Sequence, residues 1–235
     1  MESLVTLLAR VGKVRRAVTR SPRGPIPAAL MQDDARSIAG VDMGATHVRV
    51  ALTNLRGKVI VFLEQRHPVH DDPQGTRVLI AQLISDCLAR AGSSAGDLIG
   101  IGIAVPSPVD VRHPDRLSRL AMPAWEGGNG LTELHDRFHV PMLIDNDANL
   151  GALAEHWWGV GRGVNDFSFI KLASGVGAGH FIDGRIYRGA GGVAGEIGHM
   201  AIDTSGSQCG CGLRGCLTTL IGERMPPAES FSLSG

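Results

Sequence analysis

The sequence is poor in cysteine, has no excess of one charge and contains no long apolar run. Four cysteines among 235 residues are few for the disulfide framework of a small secreted domain, and no secretory signal pattern is present. No apolar stretch approaches the roughly 18 residues of a membrane-spanning helix. Basic and acidic residues number 23 each. These observations predict a soluble, cytoplasmic globular protein without a membrane partner.

Glycine, in contrast, is abundant. The chain has 32 glycines, and they concentrate between residues 159 and 215. This distribution favours ligand-binding loops over long helices in that part of the chain. A chain of this length can bury a substantial core and hold one or two domains.

Three of the four cysteines lie within eight positions. Cys209, Cys211 and Cys216 follow His199 at loop distance, and glycines separate them. One histidine and three cysteines form a standard tetrahedral set for structural Zn²⁺. The alternatives are three reduced thiols in a glycine-rich loop or a disulfide. We interpret the pattern as a zinc site, because clustered cysteines with a nearby histidine are typical of metal binding.

Hydrophobic periodicity predicts an α/β protein with two halves. Apolar residues at helical spacing indicate a helix over Asp72–Ala91, and Asp183-Gly184 indicates a hairpin turn. We expect three units, at residues 1–36, 37–118 and 119–235. The predicted strands are Ile38–Val41, His47–Thr53, Val59–Arg66, Ile99–Val105, Met142–Ile144, Phe167–Leu172 and Ala178–Ile182, and further helices are expected near 131–138 and 148–157.

Two glycine loops are candidate phosphate sites. In the first, Asp42 could hold Mg²⁺ through water, Gly44 permits a tight turn and Thr46 offers a hydroxyl. The second spans residues 174–179 and includes Ser174, Gly175 and Gly177. It is not a dinucleotide fingerprint, because a hairpin strand rather than a helix is predicted to follow it.

A polar cluster occupies a predicted strand-to-helix junction. Residues 145–149 read Asp-Asn-Asp-Ala-Asn, and a helix N-cap would explain one of these side chains. Two carboxylates and two amides in five positions suit a polyhydroxy ligand, whose hydroxyls need both donors and acceptors. Glu196, three residues before His199, adds another carboxylate.

Together these segments resemble the ROK family of repressors, open reading frames and sugar kinases. The matching motifs run in family order over about 38–222, and the last two are specific to the family. The resemblance implies an α/β, actin-like (ribonuclease H-like) ATPase fold. The motifs are Gly40–Thr46, Ile144–Asn149, Ala173–Gly179, Gly195–His199 and Cys209–Cys216.

For the kinases of this family, the resemblance implies that the glycine loops bind ATP with Mg²⁺. Asp147 matches the base that accepts the proton of the attacking sugar hydroxyl. Asn146, Asp147, Glu196 and His199 match the sugar contacts, and His199 with the three cysteines matches the structural zinc site. A monosaccharide, either a hexose or a pentose, is the implied ligand, and family members commonly form homodimers.

Other features resemble the xylose-repressor-like branch. Ala121 and Thr218 stand where kinases carry an asparagine and a glutamate. Residues 4–31 resemble the back half of a winged helix, with a basic wing that could contact DNA. The basic residues are Lys13, Arg15, Arg16, Arg20 and Arg23.

We expect the chain to be truncated, with a partial winged helix at one end and an incomplete larger domain at the other. Three functions are consistent with the residues. The first is a sugar-responsive transcriptional regulator that lacks most of its DNA reader. The second is an ATP-dependent hexose kinase with Asp147 as base, and the third is a non-catalytic sugar- and zinc-binding domain.

Overall fold

The computed structural model describes residues 36–110, 112–114, 116–126, 128 and 132–222. The predicted winged-helix remnant and its basic residues lie outside these ranges. Eight strands and four α-helices are described within them. They are β1 (Ser37–Met43), β2 (His47–Asn54), β3 (Val59–Arg66), α1 (Pro73–Arg90), β4 (Leu98–Val105), α2 (Thr132–Phe138), β5 (Met142–Asn146), α3 (Asp147–Trp158), β6 (Phe167–Leu172), β7 (Val176–Ile182), β8 (Arg185–Tyr187) and α4 (Leu217–Ile221).

The first sheet has five strands in the order β3-β2-β1-β4-β5. β1 pairs antiparallel with β2, whereas the β1–β4 and β4–β5 pairs are parallel. The parallel pairs bring the carboxyl ends of three strands to one edge of the sheet. In an open α/β sheet this edge is where ligands bind.

Helix α1 covers one face of this sheet. Its N-cap is Asp72, whose carboxylate accepts a hydrogen bond from Gly75 N at 2.8 Å, and its C-cap is Ala91. Ile80 and Ile84, four residues apart, are fully buried. The predicted helix Asp72–Ala91 is confirmed with both caps included, because capping and apolar spacing are local properties of the sequence.

The second sheet has three antiparallel strands in the order β6-β7-β8. Helix α3 packs against β6 and β7 at very short range: a Cβ added to Gly179 would lie 2.2 Å from Ala148 O. A side chain at position 179 is therefore excluded. Asp183 and Gly184, which connect β7 to β8, both have positive φ angles, as the predicted hairpin turn requires.

Some boundaries differ from the predictions. β5 continues to Asn146, and α3 begins one residue earlier than expected, at Asp147. The second glycine loop is shorter than predicted, because Val176 and Gly177 pair with β6 and form the start of β7. Gly177 therefore lies in a strand and not in a loop.

The division into units at 37–118 and 119–235 stays a prediction. β5 lies beyond that boundary in sequence, yet it pairs with β4 in the first sheet. No helix of the described ranges has both the length and the apolar character needed to cross a bilayer.

Candidate functional site

Asn146 connects the carboxyl ends of β4 and β5. Its Oδ1 accepts hydrogen bonds from Ala148 N at 3.0 Å and Asn149 N at 3.1 Å, so Asn146 is the N-cap of α3. Its Nδ2 donates to Ser107 O at 3.2 Å, in the loop after β4. An amide nitrogen carries two N–H groups, so one of them is left for a ligand.

Asp145, the preceding residue, is bonded within the protein. It is 2% exposed and forms an ion pair with Arg188, which follows β8. Asn149 Nδ2 also donates to Asp145 Oδ1 at 3.4 Å. Two of the four polar side chains in this cluster therefore bond to each other, and fewer of them can serve a ligand than the sequence suggested.

Asp147 is the first residue of α3, where the helix dipole favours a carboxylate. Lys171, on β6, donates a hydrogen bond from Nζ to Asp147 Oδ2. Burial is the main cause that raises the pKa of Asp147, and the charge of Asp42 raises it further, whereas Lys171 opposes both. The candidate base is thus a buried carboxylate with a bonded cation.

Asp42 lies at the end of β1 and is surrounded by basic groups. Arg49 Nη1 is 3.5 Å and His47 Nε2 is 3.7 Å from Asp42 Oδ2. Burial by itself raises the pKa of Asp42, but His47, Lys171 and Arg49 together hold that pKa below its ordinary value. Asp42 is therefore a carboxylate whose charge is already balanced by neighbouring side chains.

The turn after Asp42 is as tight as predicted. Gly44 N donates to His47 O at 2.9 Å, and a Cβ added to Gly44 would lie 2.3 Å from the His47 ring. Thr46 lies in the same turn, and its carbonyl accepts from His67 N at 3.0 Å. The predicted role of this turn in phosphate binding stays a prediction.

The second glycine loop contacts α4. A Cβ added to Gly175 would lie 3.7 Å from Thr218 Oγ1, and one added to Gly222 would lie 3.2 Å from Ser174 O. Thr218 therefore lines the back of this loop. Nucleotide binding by Ser174, Gly175 and Gly177 stays a prediction.

The segment Gly195–His199 lies flat against β7. Ala178 N donates to Gly195 O at 2.8 Å, and a Cβ added to Gly195 would lie 1.9 Å from Ala178 O. A Cβ added to Gly198 would lie 2.2 Å from Val176 O. The two glycines are required because the backbone approaches the strand too closely for any side chain.

The two ring nitrogens of His199 in this segment face different groups. Glu196 Oε2 is 3.8 Å from His199 Nε2, while His199 Nδ1 is 3.5 Å from Cys209 Sγ. Burial is the main cause that raises the pKa of Glu196, and the charge of Asp147 adds to it. Glu196 therefore lies within electrostatic range of Asp147, whereas the other edge of the His199 ring faces the thiols.

The predicted zinc ligands are brought together. One ligand atom from each of His199, Cys209, Cys211 and Cys216 lies within 4.8 Å of all the others, and Cys211 Sγ is 3.6 Å from Cys216 Sγ. Zn–S bonds of about 2.3 Å in a tetrahedron place the sulfurs roughly 3.8 Å apart. The four side chains fit a zinc ion, which would be held by Nδ1 of the histidine and three thiolates.

A cavity of about 270 Å³ lies beside the polar cluster. It is lined by the 189–192 loop, Asp110, Arg112 and Arg188. None of the predicted sugar contacts lines it. Arg188, which lines the cavity, also pairs with Asp145 of the polar cluster.

Sequence reasoning missed the cations of the site. Lys171, Arg188 and Arg49 each bond to a carboxylate from another part of the chain. A signal did exist for Lys171, because it is the single charged residue of the strand Phe-Ser-Phe-Ile-Lys-Leu. A charge on the covered face of a strand needs a partner, but the sequence does not identify which one.

Comparison with known proteins identifies the family, since residues 38–225 match the ROK family. The chain belongs to the ROK family. The resemblance carried by the motifs is thereby confirmed.

Three relatives illustrate the range of the ROK family. The xylose repressor of Caldicellulosiruptor bescii is 32% identical over 212 residues, which are 90% of this chain and 53% of the repressor. The glucokinase of Halalkalibacterium halodurans is 33% identical over 190 residues, 79% of this chain and 56% of the glucokinase. A crystal structure of a ROK family transcriptional regulator, a homologue of the E. coli MLC protein, has a TM-score of 0.68 at 26% identity and covers 82% of this chain and 48% of that one.

These relatives confirm the α/β, actin-like ATPase fold and the similarity to the repressor branch of the ROK family. The chain spans about half the length of the curated relatives it matches. They include both regulators and kinases, so family membership alone does not choose between the two activities.

Proposed function

We propose that this chain is the sugar-binding part of a sugar-responsive ROK transcriptional regulator. The observation that carries the proposal is the convergence of Asp147 and Glu196. These carboxylates come from α3 and from the segment on β7, and the charge of Asp147 contributes to the raised pKa of Glu196. A buried carboxylate at Asp147 and a half-buried one at Glu196 suit the hydroxyls of a monosaccharide.

The proposed pocket combines acceptors with donors. Asp147 and Glu196 would accept hydrogen bonds from sugar hydroxyls, and the second N–H of Asn146 would donate one. His199 would act through both nitrogens, with Nδ1 on zinc and Nε2 toward Glu196 and the sugar. Zinc supplies no chemistry in this proposal, because it would hold the Glu196–His199 segment in place.

Two residues favour a regulator over a kinase. Ala121 packs against the apolar core and offers no polar group where kinases are expected to carry an asparagine contact. Thr218 lines the second glycine loop in place of the expected glutamate. DNA would be a partner of the longer regulator through a winged helix, and homodimer formation and a cytoplasmic location likewise stay predictions.

The alternative is an ATP-dependent hexose kinase. Burial raises the pKa of Asp147, which is the direction that suits a general base, and the charge of Asp42 in the first glycine loop raises it further. Phosphoryl transfer would then require ATP and Mg²⁺ beside that loop. ATP-dependent phosphorylation of glucose that disappears in Asp147→Ala would replace the regulator proposal with this one.

Isothermal titration with glucose, xylose and N-acetylglucosamine tests sugar binding directly. We expect one of these sugars to bind, and Glu196→Gln to weaken its binding by about tenfold, since a charged hydrogen-bond partner is lost. Glu133→Gln is the control, because Glu133 is exposed on α2. Absence of heat with all three sugars, or equal affinity in the Glu196 variant, would contradict the proposal.

A further inference from the structure

Lys171 places a positive charge on the covered face of β6, where it needs a negatively charged partner. Side chains alternate along β6, and Lys171 shares the covered face with Phe167 and Phe169. Its Nζ donates to Asp147 Oδ2, and this carboxylate is 9% exposed whereas the lysine side chain is 32% exposed. The ion pair joins the second sheet to the N-terminus of α3.

The charge of Lys171 also reaches the first glycine loop. It is one of the groups that lower the pKa of Asp42, and Asp42 in turn acts on Asp147. Arg49 lies 3.5 Å from Asp42, although it shares its guanidinium with Glu64 at 3.0 Å. Asp42 and Asp147 therefore each have a cationic side chain from the protein itself.

This arrangement does not fit the magnesium ion implied by the kinase members of the family. A divalent cation is held by carboxylates and by substrate phosphates, and it needs carboxylates that are free to accept it. The carboxylates of Asp147 and Asp42 are already balanced by Lys171 and Arg49. A second positive charge beside Lys171 would be repelled.

We propose that Lys171 is an internal counter-ion that takes the place of the divalent cation and makes the site a nucleotide-independent sugar receptor. The proposal rests on the proposed sugar-binding function and deepens it. Asp147, held by Lys171, then accepts a hydrogen bond from a sugar hydroxyl without removing its proton. Lys171 would thus allow the site to bind a sugar without phosphorylating it.

The test measures the binding of Mn²⁺, a spectroscopic substitute for Mg²⁺, by electron paramagnetic resonance. Sugar titrations are run in parallel, with and without Mg²⁺ and a non-hydrolysable ATP analogue. For the unaltered protein we expect no more bound Mn²⁺ than in a sample that contains a chelator. We also expect its sugar affinity to be the same with and without Mg²⁺ or the nucleotide. Lys171→Met removes the cation bonded to Asp147 and leaves Asp42 with Arg49 alone among the strong bases, so Mn²⁺ binding should appear and metal-free sugar affinity should fall by about tenfold.

Two variants control for charge and folding. Lys58→Met removes the same charge from the exposed turn between β2 and β3 and should behave as the unaltered protein. Lys171→Arg retains the cation and should still exclude Mn²⁺. If Lys171→Met does not fold, Lys171→Gln repeats the loss of charge in a polar side chain.

The outcomes separate this inference from the proposed function. Two results would overturn the counter-ion role of Lys171. One is Mn²⁺ binding by the unaltered protein at Asp42. The other is the absence of Mn²⁺ binding in Lys171→Met and Lys171→Gln variants that fold. Failure of every sugar to bind would instead overturn the proposed function, while the Mn²⁺ comparison would still decide the role of Lys171.

Discussion

The two sheets of this molecule are stabilised in different ways. The first is covered by a continuous apolar cluster, in which Val50, Ile84 and Ile103 are fully buried. Around the second sheet, most of the buried apolar side chains are alanines, with Phe181 and Leu150 as large exceptions, while Ile170 and Leu172 are exposed. Close backbone contacts, ion pairs and the cluster of His199 with three cysteines hold this part of the chain together.

This difference explains where the candidate site lies. The first sheet places Asp42 and Asn146 on a rigid edge, because burial of apolar area is its main source of stability. The second sheet brings Lys171, Glu196 and His199 to that edge through a few specific bonds. A ligand or a metal can therefore influence the second region more strongly than the first.

Zinc removal should have the largest effect and should be confined to the second region. Zinc binding is worth about 10 kcal/mol in small zinc domains, so chelation or Cys216→Ser should unfold residues 196–217 and weaken sugar binding. Hydrogen exchange by mass spectrometry should show lost protection there and retained protection in β1, β2 and β4.

Cys87→Ala is the matched control, because Cys87 lies on α1, outside the cluster of His199 and the other three cysteines. Burial raises the pKa of its thiol to about 11, so it stays protonated, and the variant should keep its zinc. Intact sugar affinity in metal-free protein would contradict the link between zinc and pocket.

A cavity in the first region should destabilise the whole molecule. Ile84 lies on the buried face of α1, so Ile84→Ala should lower the free energy of unfolding by about 2–5 kcal/mol. Ile170→Ala, on the exposed face of the second sheet, should change it by less than about 0.5 kcal/mol. Urea denaturation measures both, and equal effects would remove the distinction between the two regions.

A side chain at Gly195 should displace the segment that carries Glu196. Gly195→Ala forces a contact with Ala178 O and should cost about 1–3 kcal/mol while weakening sugar binding. Gly210→Ala is the control from the same region, because no atom lies within 4 Å of its added Cβ. Thermal unfolding and sugar titration would show the contrast, and a harmless Gly195→Ala would mean that the segment is not held against β7 as described.

The two helix caps offer the smallest and most selective comparison. Asp72→Ala and Asn146→Ala each remove an N-cap and should each cost about 1 kcal/mol. Only the Asn146 change should also weaken sugar binding, since Asp72 caps α1 away from the proposed pocket. Equal sugar affinity in both variants would restrict Asn146 to a structural role.

Features that are local in sequence were predicted well. The caps of α1 and the tight turn at Gly44 lie within short segments, so spacing alone revealed them. Spacing also pointed to the histidine and three cysteines that the fold brings together, and zinc binding by them stays a prediction. Pairing across the chain was not predictable in the same way. The carboxylates of Asp145 and Asp147 find their cations at Arg188 and Lys171, and only the packing of α3 on the second sheet brings these partners together.

The hydrogen bond from Ala178 N to Gly195 O affects which residues of this site can change during evolution. Main-chain atoms fix the position of this segment, whereas the side chains of Val193 and Met200 on either side are exposed. Substitutions at those positions leave the placement of Glu196 unchanged. A lineage can therefore exchange the surrounding side chains and acquire a new ligand preference while the backbone that presents the acidic group is inherited intact.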